Sequence, residues 1–354
     1  MDGDSTTSIH ADRALSELPD VAPAIRPATT FMEGTGRRYR RSSHETTERF
    51  EAVIGALEGG HAVAYASGMA AVAAVLDHVK PRRIAIPTPV YHGVAGTVER
   101  LSIAGSVDVV DPGDLGEGDM WWIECPSNPY CRITDLAAVT SAAAERGVVT
   151  VCDSTLATPV CLRPLRFGVD VVMHASTKGI SGHSDAMGGI LAVAQEDIAA
   201  GLRDERVFSG AIPGSLDVWL SLRGVRTLSV RMERACSSAI AVATWFETNG
   251  FVVSYPGLET DPDYDVASRQ MSMAGSMMAV DFGSAARADR FIGHLRLFTN
   301  ATSLGGVESL VERRAVSDPT MPEGLVRISV GIEDTNDLIQ DLELARSAVA
   351  TAGP

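Results

Sequence analysis

The feature that most constrains this chain is a succession of short apolar runs, rich in β-branched residues, between about residues 60 and 195. They read AVAYA (62–66), RIAIP (83–87), VDVVD (107–111), MWWIEC (120–125), VVTVCD (148–153), VDVVMHA (169–175) and GGILAV (188–193). None alternates strictly with polar residues, which is the pattern of strands covered on both faces, and the Ala-rich stretch AAVTSAAAERG between two of them has helical character. Strands and helices in this alternation form an α/β fold around a mostly parallel sheet. A long helical pattern follows, around Ser221 to Asn249, and then the strand-like runs FVVSYP, MMAVDF and LVRISV with helices between them. This second region reads as a smaller α+β domain. The first forty or so residues, with Pro19, Pro23 and Pro27 and no clear periodicity, read as an extended arm. The expected division is therefore an arm over 1–45, a large domain over 46–225 and a small domain over 226–354.

A chain of 354 residues exceeds the size at which one core stops growing, in keeping with two domains. Its 45% hydrophobic and 21% charged residues can bury a sizeable core, and no apolar run is long enough to span a bilayer. The opening MDGDSTTSIHADRA is acidic and polar, unlike a secretory signal, so a cytoplasmic location is expected. A net charge of −15 disfavours nucleic acid and anionic membrane as partners and leaves a small molecule as the expected one. Cys125, Cys131, Cys152, Cys161 and Cys236 form an odd set without a C-x-x-C pair, so neither a disulfide framework nor a zinc site is expected.

No P-loop, G-x-G-x-x-G or G-x-S-x-G motif occurs; the candidate chemistry lies at strand ends. Ser67-Gly68-Met69 follows a strand and opens a helix, where exposed amides suit a phosphate, although small residues also serve simply as helix starts. Asp153 ends VVTVCD, and open α/β sheets bind ligands at the carboxyl ends of their strands, although an Asp there is often a helix cap. Lys178 lies in the polar turn HASTKGISGHSD, whose competing reading is a solvated loop. His174, His183 and Asp185 in the same stretch match no common ligand spacing, so no metal is expected. A helix N-terminus for a phosphate, an acid for a pyridine nitrogen and a lysine for an aldehyde are, taken together, what a pyridoxal 5'-phosphate site requires.

The blocks YRRSSHET (39–46), LEGGHAVAYASGMAA, VYHG, ECPSNP, VCDSTLATP, MHASTKGISGHSD, TSLGGVESL and LVRISVGIED run in order from about residue 39 to 334. In them the chain resembles the pyridoxal-phosphate enzymes of Cys/Met metabolism, which include cystathionine γ-synthase, cystathionine γ-lyase, methionine γ-lyase and the homoserine sulfhydrylases. The resemblance implies an aminotransferase-like fold of type I with a mostly parallel seven-stranded sheet. It implies that Lys178 carries the cofactor as a Schiff base and moves protons, that Asp153 pairs with the pyridine nitrogen, and that Tyr91 stacks on the ring and serves as a further acid or base. Gly68 and Met69 would give amides to the phosphate, with Thr155, Ser176 and Thr177 also at the cofactor. Tyr39 and Arg41 would reach the phosphate of a neighbouring subunit, so a homodimer or homotetramer with shared sites is implied. Arg327 would bind the substrate α-carboxylate, with Ser303 and Asn128 nearby.

Three departures bear on specificity. Ala175 stands where the family usually has a phosphate-binding serine, and His44-Glu45 replaces the usual Asn-Pro of the arm. Arg38 and Thr302 occupy places where cystathionine-processing members commonly carry glutamates that can hold the distal ammonium of cystathionine. The expected activity is elimination of a γ substituent from a small amino acid, by an enzyme like cystathionine γ-lyase but not specific for cystathionine. The alternatives are γ-replacement on an activated homoserine, a specialised-metabolism elimination of an unusual group such as a halide, and a non-catalytic paralogue, against which the retention of Lys178, Asp153, Tyr91 and Arg327 argues.

Overall fold

The computed structural model describes residues 3–351. The described residues form two compact units, one of residues 3–125 and 134–229 and the other of residues 126–133 and 230–351. Residues 126–133 lie in the stretch that the sequence reading assigned to the large domain. Arg132 pairs with Asp263 at 2.9 Å, and Ser254 Oγ donates to the carbonyl of Tyr130 at 2.5 Å; both contacts are internal to the second unit.

The first unit is built on seven strands: β1 (His61–Tyr65), β2 (Arg83–Ala85), β3 (Asp108–Val109), β4 (Met120–Glu124), β5 (Val149–Asp153), β6 (Val171–His174) and β7 (Gly189–Val193). Their order in the sheet is β1-β7-β6-β5-β4-β2-β3. The neighbours from β3 to β6 are parallel, and β7 runs antiparallel to both β6 and β1. Every residue of β6 and β7 is buried, so the absence of polar alternation does reflect a sheet covered on both faces. β3 is the exception: both its residues are exposed at the sheet edge.

α1 (Asp4–His10), α2 (Glu45–Glu58), α3 (Gly68–Val79) and α4 (His92–Ile103) follow one another along this unit. The N-terminal stretch differs from an extended arm in its first third. There α1 packs on α2, and Asp12, fully buried, binds Arg49 at 2.6 Å and Arg226 at 2.7 Å. The two guanidinium groups outweigh the burial that would raise the Asp12 carboxyl and hold it below the usual carboxylate range.

The second unit carries β8 (Val252–Ser254), β9 (Met277–Asp281), β10 (Thr299–Asn300), β11 (Leu310–Arg313) and β12 (Leu325–Ser329) in the order β10-β11-β12-β9-β8. The sheet is antiparallel apart from β10 beside β11. The helices Leu228–Thr248 and Thr335–Thr351 supply the other half of a core in which Phe246, Phe282 and Phe291 meet edge-on or tilted, at 5.0 to 6.2 Å between centroids.

Topology puts the functional ends together. β4, β5 and β6 are parallel and end at Glu124, Asp153 and His174. β1, antiparallel to β7, runs with them, so Ser67 and Gly68 leave the sheet at the same edge. The segment between β6 and β7, which contains Lys178, turns back there without a helix. That turn is held from outside by Gly224, in the helix Ser215–Val225, where a Cβ would stand 2.2 Å from the carbonyl oxygen of Ser181. We expect Gly224→Ala to cost about 1–3 kcal/mol through overpacking and to lower the urea midpoint; an unchanged midpoint would show that the helix is not pressed on the turn.

Candidate active site

The site residues of the first unit are assembled by backbone geometry before any side chain acts. Ser67 caps α3, its Oγ accepting from the amide of Ala70 at 3.1 Å, which leaves the amides of Gly68 and Met69 in the first turn, where no intrahelical acceptor exists. Gly68 is pressed on the residue after β6: a Cβ there would meet that of Ala175 at 3.0 Å. Gly93 is equally tight, since a Cβ would meet Met69 Sδ at 2.6 Å and the Tyr91 ring at 2.8 Å. Gly68, Met69, Tyr91 and Ala175 therefore form one continuous wall.

Asp153 connects to this wall by hydrogen bonds. Its Oδ1 accepts from the amide of Thr155 at 2.9 Å, and Thr155 Oγ1 accepts from the amide of Ala175 at 2.8 Å. Burial pushes the Asp153 carboxyl up, and the Thr155 hydrogen bonds and the neighbouring His174 oppose the rise. Tyr91, half exposed, is positioned through its backbone: its amide donates to Glu124 Oε1 at 2.6 Å, and its ring lies 4.4 Å from that of His92. Lys178 is partly buried in its turn, its amide bonded to the carbonyl of Ala175 at 3.0 Å. Thr177 closes the turn, its Oγ1 accepting from the amide of Gly188 at 3.0 Å and donating to that residue's carbonyl at 3.2 Å. Ser176 Oγ is buried without a hydrogen-bond partner and faces the α-carbon of Gly188.

In the second unit, Arg327 is buried on β12. It donates to Asn128 Oδ1 at 3.2 Å, to the carbonyl of Ser303 at 2.9 Å and to Glu312 Oε2 at 2.8 Å, so three of the residues expected together do meet. Thr302, next to Ser303, is exposed. Arg38, Tyr39 and Arg41 are also exposed on the protomer, the Arg41 guanidinium lying 5.2 Å from the Tyr39 ring centre. Their neighbour Arg37 is instead tied to Glu17 and Glu48 at 2.6–2.7 Å.

Several polar residues here escaped the sequence reading. Glu124 lies within the run MWWIEC, yet its work of holding Tyr91 depends on β4 bringing it to the sheet edge. Glu58, the last residue of α2, and His174 are both fully buried, with Glu58 Oε1 2.6 Å from His174 Nε2. His183, with His174 a rejected metal candidate, places Nδ1 2.6 Å from the carbonyl of Ser181. The one sequence signal for Glu58 is an acid ahead of two glycines at the end of an apolar helix, and it does not name the partner.

This arrangement presents, at one sheet edge, amides for an anion, a desolvated carboxylate for a cationic N–H and an amine for a carbonyl. Two features fit pyridoxal phosphate in particular: backbone at Gly68 close enough for an anion to approach, and an Asp153 carboxyl whose burial a pyridinium would relieve. Fold and site thus define an enzyme of the pyridoxal-phosphate class.

Comparison with known proteins narrows this. Residues 5–346 match the family described as Cys/Met metabolism PLP-dependent enzyme. The chain is 36% identical to a cystathionine β-lyase of Coxiella burnetii over 96% of this chain and 97% of that one. It is 36% identical to a cystathionine γ-lyase of Bacillus subtilis over 87% and 88%. Among solved structures, a cystathionine γ-synthase from Xanthomonas oryzae pv. oryzae in complex with aminoacrylate and cysteine superposes with a TM-score of 0.93 at 32% identity, covering 99% of both chains. The protein belongs to the Cys/Met-metabolism family of pyridoxal-phosphate-dependent enzymes, and its fold is type I.

The buried Glu58–His174 pair gives a direct test of the site's scaffold. Glu58→Ala should cost about 1–3 kcal/mol in denaturant unfolding, because it leaves a buried His174 nitrogen without its hydrogen-bond partner. Glu58→Gln, which keeps an acceptor, should cost clearly less; equal losses would mean that volume and not pairing matters.

Proposed function

We propose that the protein is a lyase that removes a γ substituent from a small amino acid, with Lys178, Asp153 and Tyr91 as its catalytic residues. The observation that carries the reading is the single connected cluster of the α3 N-terminus, the Asp153–Thr155–Ala175 hydrogen-bond chain and the Lys178 turn. Pyridoxal phosphate, when bound, draws electrons from the carbons of an attached amino acid. The Lys178 amine would hold the cofactor and, when free, would carry protons from Cα and then from Cβ of the substrate. Asp153 keeps the ring nitrogen protonated. Tyr91, held by Glu124, covers the ring and offers its hydroxyl as an acid to the leaving group. The amides of Gly68 and Met69, with the nearby Thr155, Ser176 and Thr177, form the phosphate cup, and Ala175 leaves that cup one hydroxyl short. Arg327, with Asn128 and Ser303, takes the α-carboxylate.

The assembly is a homodimer or homotetramer with shared sites, supported by the exposed Tyr39–Arg41 pair, whose guanidinium is available to a neighbour's phosphate. The likeness to a synthase favours a second reading, γ-replacement on an activated homoserine. A panel of γ- and β-substituted amino acids, including a halogenated one, incubated with the holoenzyme and followed by mass spectrometry separates elimination, replacement and β-cleavage. Release of a 2-oxo acid and ammonia from γ-substituted members supports the lyase, and products from β-substituted members alone sink it.

Three outcomes are expected. Borohydride reduction should fix the cofactor to Lys178, and Lys178→Ala should lower turnover at least about 10²–10⁴-fold. Arg41→Ala should weaken cofactor retention by roughly tenfold or more, and a fully active monomer would rule out the shared site. Cystathionine should be a poorer substrate than γ-substituted amino acids lacking a distal ammonium, because Arg38 and Thr302 offer that group no anion. Arg38→Glu combined with Thr302→Glu should narrow the gap in kcat/KM; a parent enzyme that prefers cystathionine contradicts the specificity argument alone.

A further inference from the structure

Glu312 and Arg327 are register partners on β11 and β12, and a second arginine reaches the same carboxylate. Arg314 Nη1 lies 2.5 Å and Arg327 Nη2 2.8 Å from Glu312 Oε2, and the hydroxyl of Ser317 donates to Oε1. Glu312 and Arg327 are buried; the Arg314 side chain is 12% exposed, and its Nε is shut off from solvent without a hydrogen-bond partner. Two guanidinium groups on one carboxylate leave one positive charge in excess, in a place where an unbalanced charge is costly. Were Arg327 the only arginine there, Glu312 would neutralise it and little charge would remain for an anion.

We propose that Arg314 is a positioning residue for substrate recognition: it neutralises Glu312 and so leaves the charge of Arg327 for the α-carboxylate of the amino acid. Glu312 and the carbonyl of Ser303 meanwhile hold the Arg327 guanidinium in a fixed orientation. Burial, then the charge of Arg314, lower the Arg327 pKa to about 10 against the pull of Glu312, which leaves Arg327 protonated at neutral pH. When the carboxylate arrives, the cluster becomes neutral.

The inference rests on the reading of Arg327 given above, and the following experiment separates the two. L-norleucine, which has no γ leaving group, and its amide, which lacks the carboxylate charge, are titrated into the holoenzyme, and dissociation constants are read from the absorbance change of the bound cofactor. Arg314→Met should weaken L-norleucine binding about tenfold and leave the amide unaffected, and Glu312→Gln added to that variant should restore most of the loss. Equal weakening of both ligands, no weakening, or no recovery in the double variant overturns the role of Arg314. Arg327→Ala should abolish the preference for L-norleucine over its amide; if the preference survives, the carboxylate reading of Arg327 itself has failed, and the role of Arg314 falls with it.

Discussion

The reversal of β7 against β6 is the constraint on which the rest of the site depends. A parallel continuation would have sent the chain from His174 through a crossover to the far edge of the sheet. The antiparallel return instead keeps residues 175–188 at the carboxyl edge, where Asp153 and the start of α3 already lie. Lys178 is thereby presented on a turn with little freedom. Thr177 binds both backbone groups of Gly188, and Gly224 meets the carbonyl of Ser181. For the role proposed for Lys178, a backbone that does not move while the side chain does is an advantage.

Several buried polar residues of the first unit are held in pairs. Asp12 with Arg49 and Arg226, and Glu51–Arg206, are ion pairs taken largely out of water, and Glu58–His174 is a fully buried hydrogen-bonded pair. Buried pairs of this kind add little net stability over apolar residues of the same size, but breaking one is expensive. Their value here is positional: each joins segments distant in sequence, and the Glu58–His174 pair anchors the last residue of β6 immediately before the Lys178 turn. The Arg314–Glu312–Arg327 cluster of the second unit follows a different logic, since its charges do not cancel until an anion joins them.

Much of this was legible in the sequence. The seven apolar runs correspond to the seven strands of the large sheet, because burial on both faces leaves an unbroken apolar signature. The positions of Asp153, Lys178 and the Ser67-Gly68-Met69 helix start at the carboxyl edge were legible for the same reason: each ends or closely follows such a run. Other features were hidden by the physics that makes them. α1 is held by the burial of Asp12 between two arginines, so it carries no apolar periodicity. β3, although it too falls within one of the runs, has only two residues and both are exposed, so burial does not account for its signature. Glu58, Glu124 and Glu312 owe their roles to partners 116, 33 and 15 residues away, and one chain does not reveal such register.

The excursion of residues 126–133 into the second unit bears on how separable the two units are. The chain passes from one to the other three times, at 125/126, 133/134 and 229/230. A protease that cut only between Ser229 and Val230 would leave the amino-terminal fragment with a short segment still embedded in the carboxy-terminal one, held there by Arg132–Asp263 and Ser254–Tyr130. Neither unit is a cassette that a single splice could exchange between relatives. Any recombination that swapped the carboxy-terminal half would have to bring along, or re-match, the loop carrying Asn128, and so the side chain that steadies Arg327 is inherited with the partner of the unit it serves.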